Sequence, residues 1–279
     1  LAWQDVAFIT FGPADEITMK EQTNIYPADT SSIETNINNG SWNFNPEAID
    51  ESSVDYKGDI KGFQTLDYLL NKRGFTNTER INYFTSSQNA GNYLTAITDD
   101  LLSNINYVYQ EWSTSYSSTF MNNFESNGSG SSISLLVNAL SKHYEFYVRR
   151  GKLGLPLGIY NTFTGSPLPE LVECIHYGQS IPFAIRAVNS IGNFISGKHY
   201  LSDSVGVGLD NYMNDVNALY EPECQYLSVA INGQVNTIIN NLSTLDDPLG
   251  SEIVNNKQFV ETTYYSMQDL VPLIKVDLT

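Results

Sequence analysis

The chain has 279 residues, 41% hydrophobic and 12% aromatic, enough apolar material for one large core or two modest ones, which excludes disorder for the chain as a whole. Its 14 Lys and Arg stand against 31 Asp and Glu, a formal charge of −17 that repels phosphate backbones and anionic membrane surfaces and speaks against a nucleic-acid binder. No run approaches the ~18 apolar residues of a membrane span. Two cysteines, Cys174 and Cys224, are too few for a disulfide scaffold or a cysteine-rich zinc site. They are expected as free thiols on helices. Charged residues make up only 16% of the chain, and the uncharged polar surface this leaves suits an exported protein. Leu1 is not an initiator methionine, so the sequence reads as starting inside a longer precursor.

In chain order, residues 1–10 read as the end of a helix, stopped by Gly12-Pro13. Residues 20–56 read as a long irregular loop anchored by Tyr26, Trp42 and Phe44, with helical turns near Ser32–Asn38 and Glu47–Ser52. Ile60, Phe63, Leu66, Leu69 and Leu70 then share one helical face. A long stripe from Ile81 to Trp112 predicts an extended helix with a break near Asn89-Ala90-Gly91. Asn127-Gly128-Ser129-Gly130-Ser131 is the strongest turn signal, and it divides the chain into halves of 1–130 and 131–279. Helices are predicted over 132–150, 169–198, 203–221, 223–244 and 257–270, with a glycine- and proline-rich loop over 151–169. Alternation never persists long enough for a sheet. The fold class is all-α, with long helices joined in bundles.

Gly62-Phe63-Gln64-Thr65-Leu66-Asp67 resembles the Gly-x-His-x-x-Glu hallmark of the imelysin-like family, with Gln64 and Asp67 in place of the histidine and glutamate. Phe11-Gly12-Pro13 and Ile25-Tyr26-Pro27-Ala28-Asp29 are similar to landmarks upstream of that motif. The run from Arg149 to Gly158 resembles the segment opening the second half, and Glu173 with Ser180 resembles an acidic, Ser-rich helix there. The resemblance spans nearly the whole chain and implies an all-α double helical bundle of long up-down helices, here lacking N-terminal helices. It also implies export, to the periplasm or to an outer-membrane lipid anchor. The family has been described both as metallopeptidases and as components of iron uptake.

The chemistry narrows these alternatives. Residues three apart share a helix face, so Gln64 and Asp67 address the same space. A neutral amide is a poor substitute for imidazole at a zinc site, and no His-Glu-x-x-His helix occurs. The best metal candidates are therefore Asp67 with Glu173 and His176, the last two read as one helix face. Asp67 is equally open to pairing with Lys61, Arg149 or Arg150 as a structural link, or with Glu173 as a like-charge acid–base pair. Arg149 and Lys152 are candidate cleft residues, Lys152 as an anion contact, and Ser180 is a helix-face hydroxyl with no nucleophile elbow around it. Three readings stay open: an exported non-enzymatic binding protein that takes a divalent metal, an iron complex or a small polar ligand between its halves; a metal-dependent peptidase; and a surface module that contacts other cell-envelope proteins.

Overall fold

The computed structural model describes residues 1–44, 58–124, 128, 130–161, 164–200, 202 and 204–275. Among these the chain is helical, apart from a two-residue antiparallel ribbon, β1 (Leu219–Tyr220) and β2 (Gln225–Tyr226), and one isolated bridge between Lys198 and Val205. The chain divides into two compact units. The first comprises residues 10–125 and 170–178, the second residues 1–9, 126–169 and 179–279. The halves expected at 1–130 and 131–279 do not contain this exchange of the first nine residues and of 170–178.

The first unit carries α1 (Pro13–Glu16), α2 (Met19–Thr23), α3 (Thr30–Asn39), α4 (Gly62–Asn71), α5 (Asn77–Ser86), α6 (Gln88–Glu111) and α7 (Ser117–Asn122), with a π-helical turn at Trp112–Tyr116. The helical turn expected near Ser32–Asn38, inside the loop expected over 20–56, is the full helix α3. Its N-terminus is satisfied by the Asp29 carboxylate, which accepts from the Ser31 and Ser32 N–H groups at 3.1 and 3.0 Å. The turn expected at Glu47–Ser52 lies outside the described residues. The long helix ending near 112 breaks at Ser87, two residues before the expected Asn89, because the Ser87 hydroxyl caps α6 through the Ala90 N–H. The core of this unit gathers Ile33, Ile37, Ile60, Leu69, Tyr93, Ile97 and Leu101, with Trp42 and Phe44 edge-on to Tyr93.

A charged cluster closes one side of that core. Glu34 accepts from Lys72 Nζ at 2.5 Å, from Tyr68 at 2.7 Å and from Tyr83 at 3.1 Å. Lys72 also lies 3.4 Å from the Tyr83 ring centroid. Burial works to raise the Glu34 carboxyl, but the three donors outweigh it and hold it below the ordinary value of 4.5. A depressed carboxylate stabilises the fold above its unfolded pKa, and that contribution is lost as pH falls from about 4.5 through the lower folded value. Glu34→Gln is therefore expected to cost about 1 kcal/mol at neutral pH, discounted for partial exposure. Its difference from the parent should shrink on titration below pH ~4.5, followed by thermal melts.

The second unit carries α8 (Ser132–Lys142), a π-helical run at His143–Gly154, α9 (Ile181–Ile195), α10 (Leu209–Asp215), α11 (Leu227–Leu242), α12 (Leu249–Asn255), α13 (Lys257–Gln268) and α14 (Leu270–Lys275). Residues 1–10 form a 3₁₀ turn, Ala2–Asp5, in place of the expected helix end. The helix expected over 203–221 is reduced to α10, because Gly197, with φ of +67°, turns the chain and its carbonyl takes the Gly206 N–H at 2.8 Å just before Gly208 caps α10. α11 packs against α9, α13 and α14. Leu140, Leu153, Ile191, Ile231, Ile238 and Met267 are fully buried there. Cys174, buried, and Cys224, exposed, form no disulfide with each other, and neither lies in a helix. Among the described residues no helix is long and apolar enough to cross a membrane.

Candidate functional site

The helix expected over 169–198 begins only at Ile181; Pro169–Leu171 is a 3₁₀ turn, and 173–178 runs as successive turns. Glu173 and His176 therefore do not share a helix face, which corrects the sequence reading. The reason is local. Cys174 sits at φ +54° and Gly178 at φ +74°, both in the left-handed region, so the helical ladder cannot run through them. Three backbone N–H groups of this segment are taken instead by side chains of α4.

Gln64 and Asp67, one turn apart on α4, receive those groups side by side. Gln64 Oε1 accepts from the Cys174 N–H at 2.8 Å. Asp67 Oδ2 accepts from the His176 N–H and Oδ1 from the Tyr177 N–H, both at 2.9 Å, while Asn71 donates to Oδ1 at 3.1 Å. The other end of the Gln64 amide donates to Asn24 Oδ1 at 2.8 Å, and Asn24 Nδ2 donates to Glu173 Oε1 at 2.8 Å. Gln64, Asp67, Asn24 and Glu173 are all buried. The network thus fastens 173–177 to α4 and to the end of α2 by side-chain acceptors rather than by a sheet or helix ladder.

The electrostatics follow from burial. The Tyr26 hydroxyl lies in the interior, although the residue is only partly buried as a whole; burial, reinforced by Glu173 and Cys174, pushes its phenol well above the ordinary range. Burial also lowers the His176 imidazole below 6.5, against the pull of Asp67 and with help from Arg73. The His176 ring meets Tyr68 edge-on at 5.0 Å, and its buried Nδ1 has no hydrogen-bond partner.

Gly62, Gln64, Asp67, Glu173 and His176 thus belong to one unit and one neighbourhood. Arg149, Lys152 and Ser180 belong to the other unit. There Arg149 donates to the Tyr264 hydroxyl and lies 4.0 Å from Glu145, and Lys152 is buried. Ser180 is the N-cap of α9, its N–H held by Asp247 Oδ1 at 2.9 Å. The possible pairings of Asp67 with Lys61, Arg149 or Arg150 are replaced by backbone donors, and Lys61 turns to Asp100 at 3.3 Å. Asn24 is the residue that sequence reading missed. The only available signal is its position directly before the Ile25–Asp29 landmark.

A model of the imelysin family matches residues 1–276, and the chain belongs to that family. A solved structure described as an iron-regulated protein A precursor from Parabacteroides distasonis shares the fold with a TM-score of 0.76 at 18% identity, over 99% of this chain and 80% of that one. No curated protein matches.

The peptidase name of the family implies a metal at the hallmark helix, and the residues present do not fit one. Both polar ends of Gln64 and both oxygens of Asp67 are engaged by protein donors and acceptors at 2.8–3.1 Å. Among the described residues no group of three His, Cys, Asp or Glu could hold a metal ion. Three donors leave Asp67 about one acceptor position, on Oδ2, so bidentate coordination would require releasing the Tyr177 N–H or Asn71 from Oδ1.

Proposed function

We propose that this chain is an exported, non-enzymatic member of its family, placed in the periplasm or at the outer membrane, that binds a small polar ligand or an iron complex. The positions of the family hallmark serve here as a lock on 173–177 rather than as a catalytic metal centre. The observation carrying this reading is the capture of the His176 and Tyr177 N–H groups by the two oxygens of Asp67. With Asn71 as a third donor, three of the carboxylate's about four acceptor positions are taken, and one on Oδ2 is left. The relative described as an iron-regulated precursor supports export and the association with iron.

The test is metal content of protein purified without chelator, with Fe, Zn, Ca, Mg and Mn quantified against protein, beside Asp67→Asn and Asp67→Ala and a peptide-hydrolysis assay. Sub-stoichiometric metal in all three proteins, with no hydrolysis, is expected. Near-stoichiometric metal in the parent that both variants lose would overturn the lock and restore the peptidase reading.

A further inference from the structure

We propose that the face of the second unit formed by α10, the β1–β2 ribbon and the start of α11 is a docking surface for a lysine- or arginine-rich amphipathic segment of a partner protein. Four large apolar side chains stand out of it: Tyr212 is 63% exposed, Val216 54%, Leu219 53% and Tyr226 44%. Such side chains scattered singly over a surface need no explanation, whereas four brought together by one short piece of the fold mark an interaction site. The charge that accompanies them has one sign. No lysine or arginine occurs from His199 to Asn256, while Asp210, Asp215, Glu221 and Glu223 fall in the same stretch as the four apolar side chains.

The fold holds these side chains out on a firm base. Tyr212 and Val216 lie one helical turn apart at the end of α10, while Met213, beside Tyr212, turns inward and is buried. Leu219 and Tyr226 are directly paired across the antiparallel ribbon, so their side chains share one of its faces. The ribbon is tied to both neighbouring helices. Ala218 N–H donates to Met213 O and Leu227 N–H donates to Ala218 O, both at 2.9 Å. The Ser228 hydroxyl at the start of α11 donates to Asn214 Oδ1 of α10 at 2.6 Å. Leu227, next to Tyr226, is buried and anchors the same corner. The 3₁₀ turn Glu221–Glu223 joins the two strands and leaves both of its glutamates exposed at the tip.

The occupant follows from what this face leaves unsatisfied. Among the described residues the Asp215 and Glu221 carboxylates make no ion pair and no hydrogen bond, and the Tyr212 and Tyr226 hydroxyls have no partner. Exposed tyrosines offer a stiff apolar body with a polar tip, and their ring faces attract ammonium and guanidinium groups. The unpaired carboxylates that flank them in the chain attract the same cations. Apolar side chains alternating with those cations would cover Val216 and Leu219. A second copy of this chain instead sets like carboxylates against each other, each molecule carrying a formal charge of −17. An anionic membrane surface is repelled in the same way. The face lies wholly within the second unit and uses neither Gln64 nor Asp67, so its test is separate from that of the lock on 173–177.

Fluorescence anisotropy with three labelled peptides of equal length and helical spacing tests it, one built of Lys and Leu, one of Lys and Ser, and one of Glu and Leu. Saturable 1:1 binding of the Lys–Leu peptide is expected, about tenfold or more tighter than the Lys–Ser peptide, with no binding of the Glu–Leu peptide. Glu221→Lys and Tyr212→Ser should each weaken the Lys–Leu peptide about tenfold. Asp99→Lys, the same charge reversal at an exposed position of the first unit, should change it less than about twofold. All three positions are exposed, so their replacement leaves the cores intact. No saturable binding of the Lys–Leu peptide, or equal weakening by Glu221→Lys and Asp99→Lys, overturns the proposal, the second outcome by reducing the attraction to diffuse charge. Sedimentation of the parent chain and of Leu219→Ser supplies the remaining arm. Monomers in both are expected, and a parent dimer lost in Leu219→Ser would give the face to a second copy and overturn the basic partner.

Discussion

Asp67→Ala is expected to release the 173–177 segment from α4 at a cost of about 2–4 kcal/mol, the sum of two charge-assisted backbone hydrogen bonds discounted for partial access of water. Both bonds measure 2.9 Å, and their acceptor is buried. Truncation leaves the His176 and Tyr177 N–H groups with no acceptor and the segment with no ladder to fall back on. The Gln64 bond to Cys174 is the nearest remaining anchor. Because the chain forms two units, a single unfolding free energy is the wrong observable. Amide exchange resolved at 174–177 is the right one.

In that experiment Asp67→Ala should lose protection at His176 and Tyr177 by a factor of about 30 or more. Asp67→Asn, which retains one acceptor oxygen, should lose less. Gln64→Ala should act chiefly at Cys174. Because the two residues fasten one short segment, the double variant should depart from additivity. Protection at 176 and 177 unchanged in Asp67→Ala would show that the segment is held by its own turns, and the lock would be abandoned.

Fold class and most helices of the first unit were legible because they rest on local signals. The apolar face of Ile60 to Leu70 and the stripe from Ile81 onward need no knowledge of the rest of the chain. The break at Ser87 was misplaced by two residues because a capping serine competes with a more conspicuous Asn-Ala-Gly run. Residues 169–180 were misread for a deeper reason. Their apolar spacing imitates a helix, but their backbone donors are satisfied by acceptors more than a hundred residues away in sequence. Spacing reports which side chains point together and says nothing about where the N–H groups go. The motif residues were found for the same local reason, by their place one turn apart on α4. Their use was not, since a carboxylate aimed at a metal and one aimed at two backbone amides read identically in sequence. Asn24, which joins Gln64 to Glu173, lies outside every periodic pattern.

Gly62→Ala is expected to be among the most damaging small substitutions in the first unit, because the chain there requires glycine both for its backbone angle and for its surroundings. Gly62 opens α4 at φ +78°, where an L-residue pays about 1–2 kcal/mol. Its surroundings add a second cost. A Cβ would stand 2.3 Å from the carbonyl oxygen of Thr23 and 2.7 Å from the carbonyl carbon, and neither is the tip of a flexible side chain. Relief requires moving the end of α2, which carries Asn24 with it and strains the bonds to Gln64 and Glu173. With an overpacking penalty of about 1–3 kcal/mol, the total reaches about 2–5 kcal/mol. Gly74→Ala separates the two terms. Gly74 has φ of +83°, yet nothing lies within 4 Å of its Cβ position, so it should show the conformational cost alone. Thermal melts of the two variants, with amide exchange at 174–177, should place Gly62→Ala well below Gly74→Ala and should show protection lost at Cys174 in the former only. Equal losses in the two variants would mean that α2 yields freely, and that the glycine is there for its backbone angle rather than for the approach of Thr23.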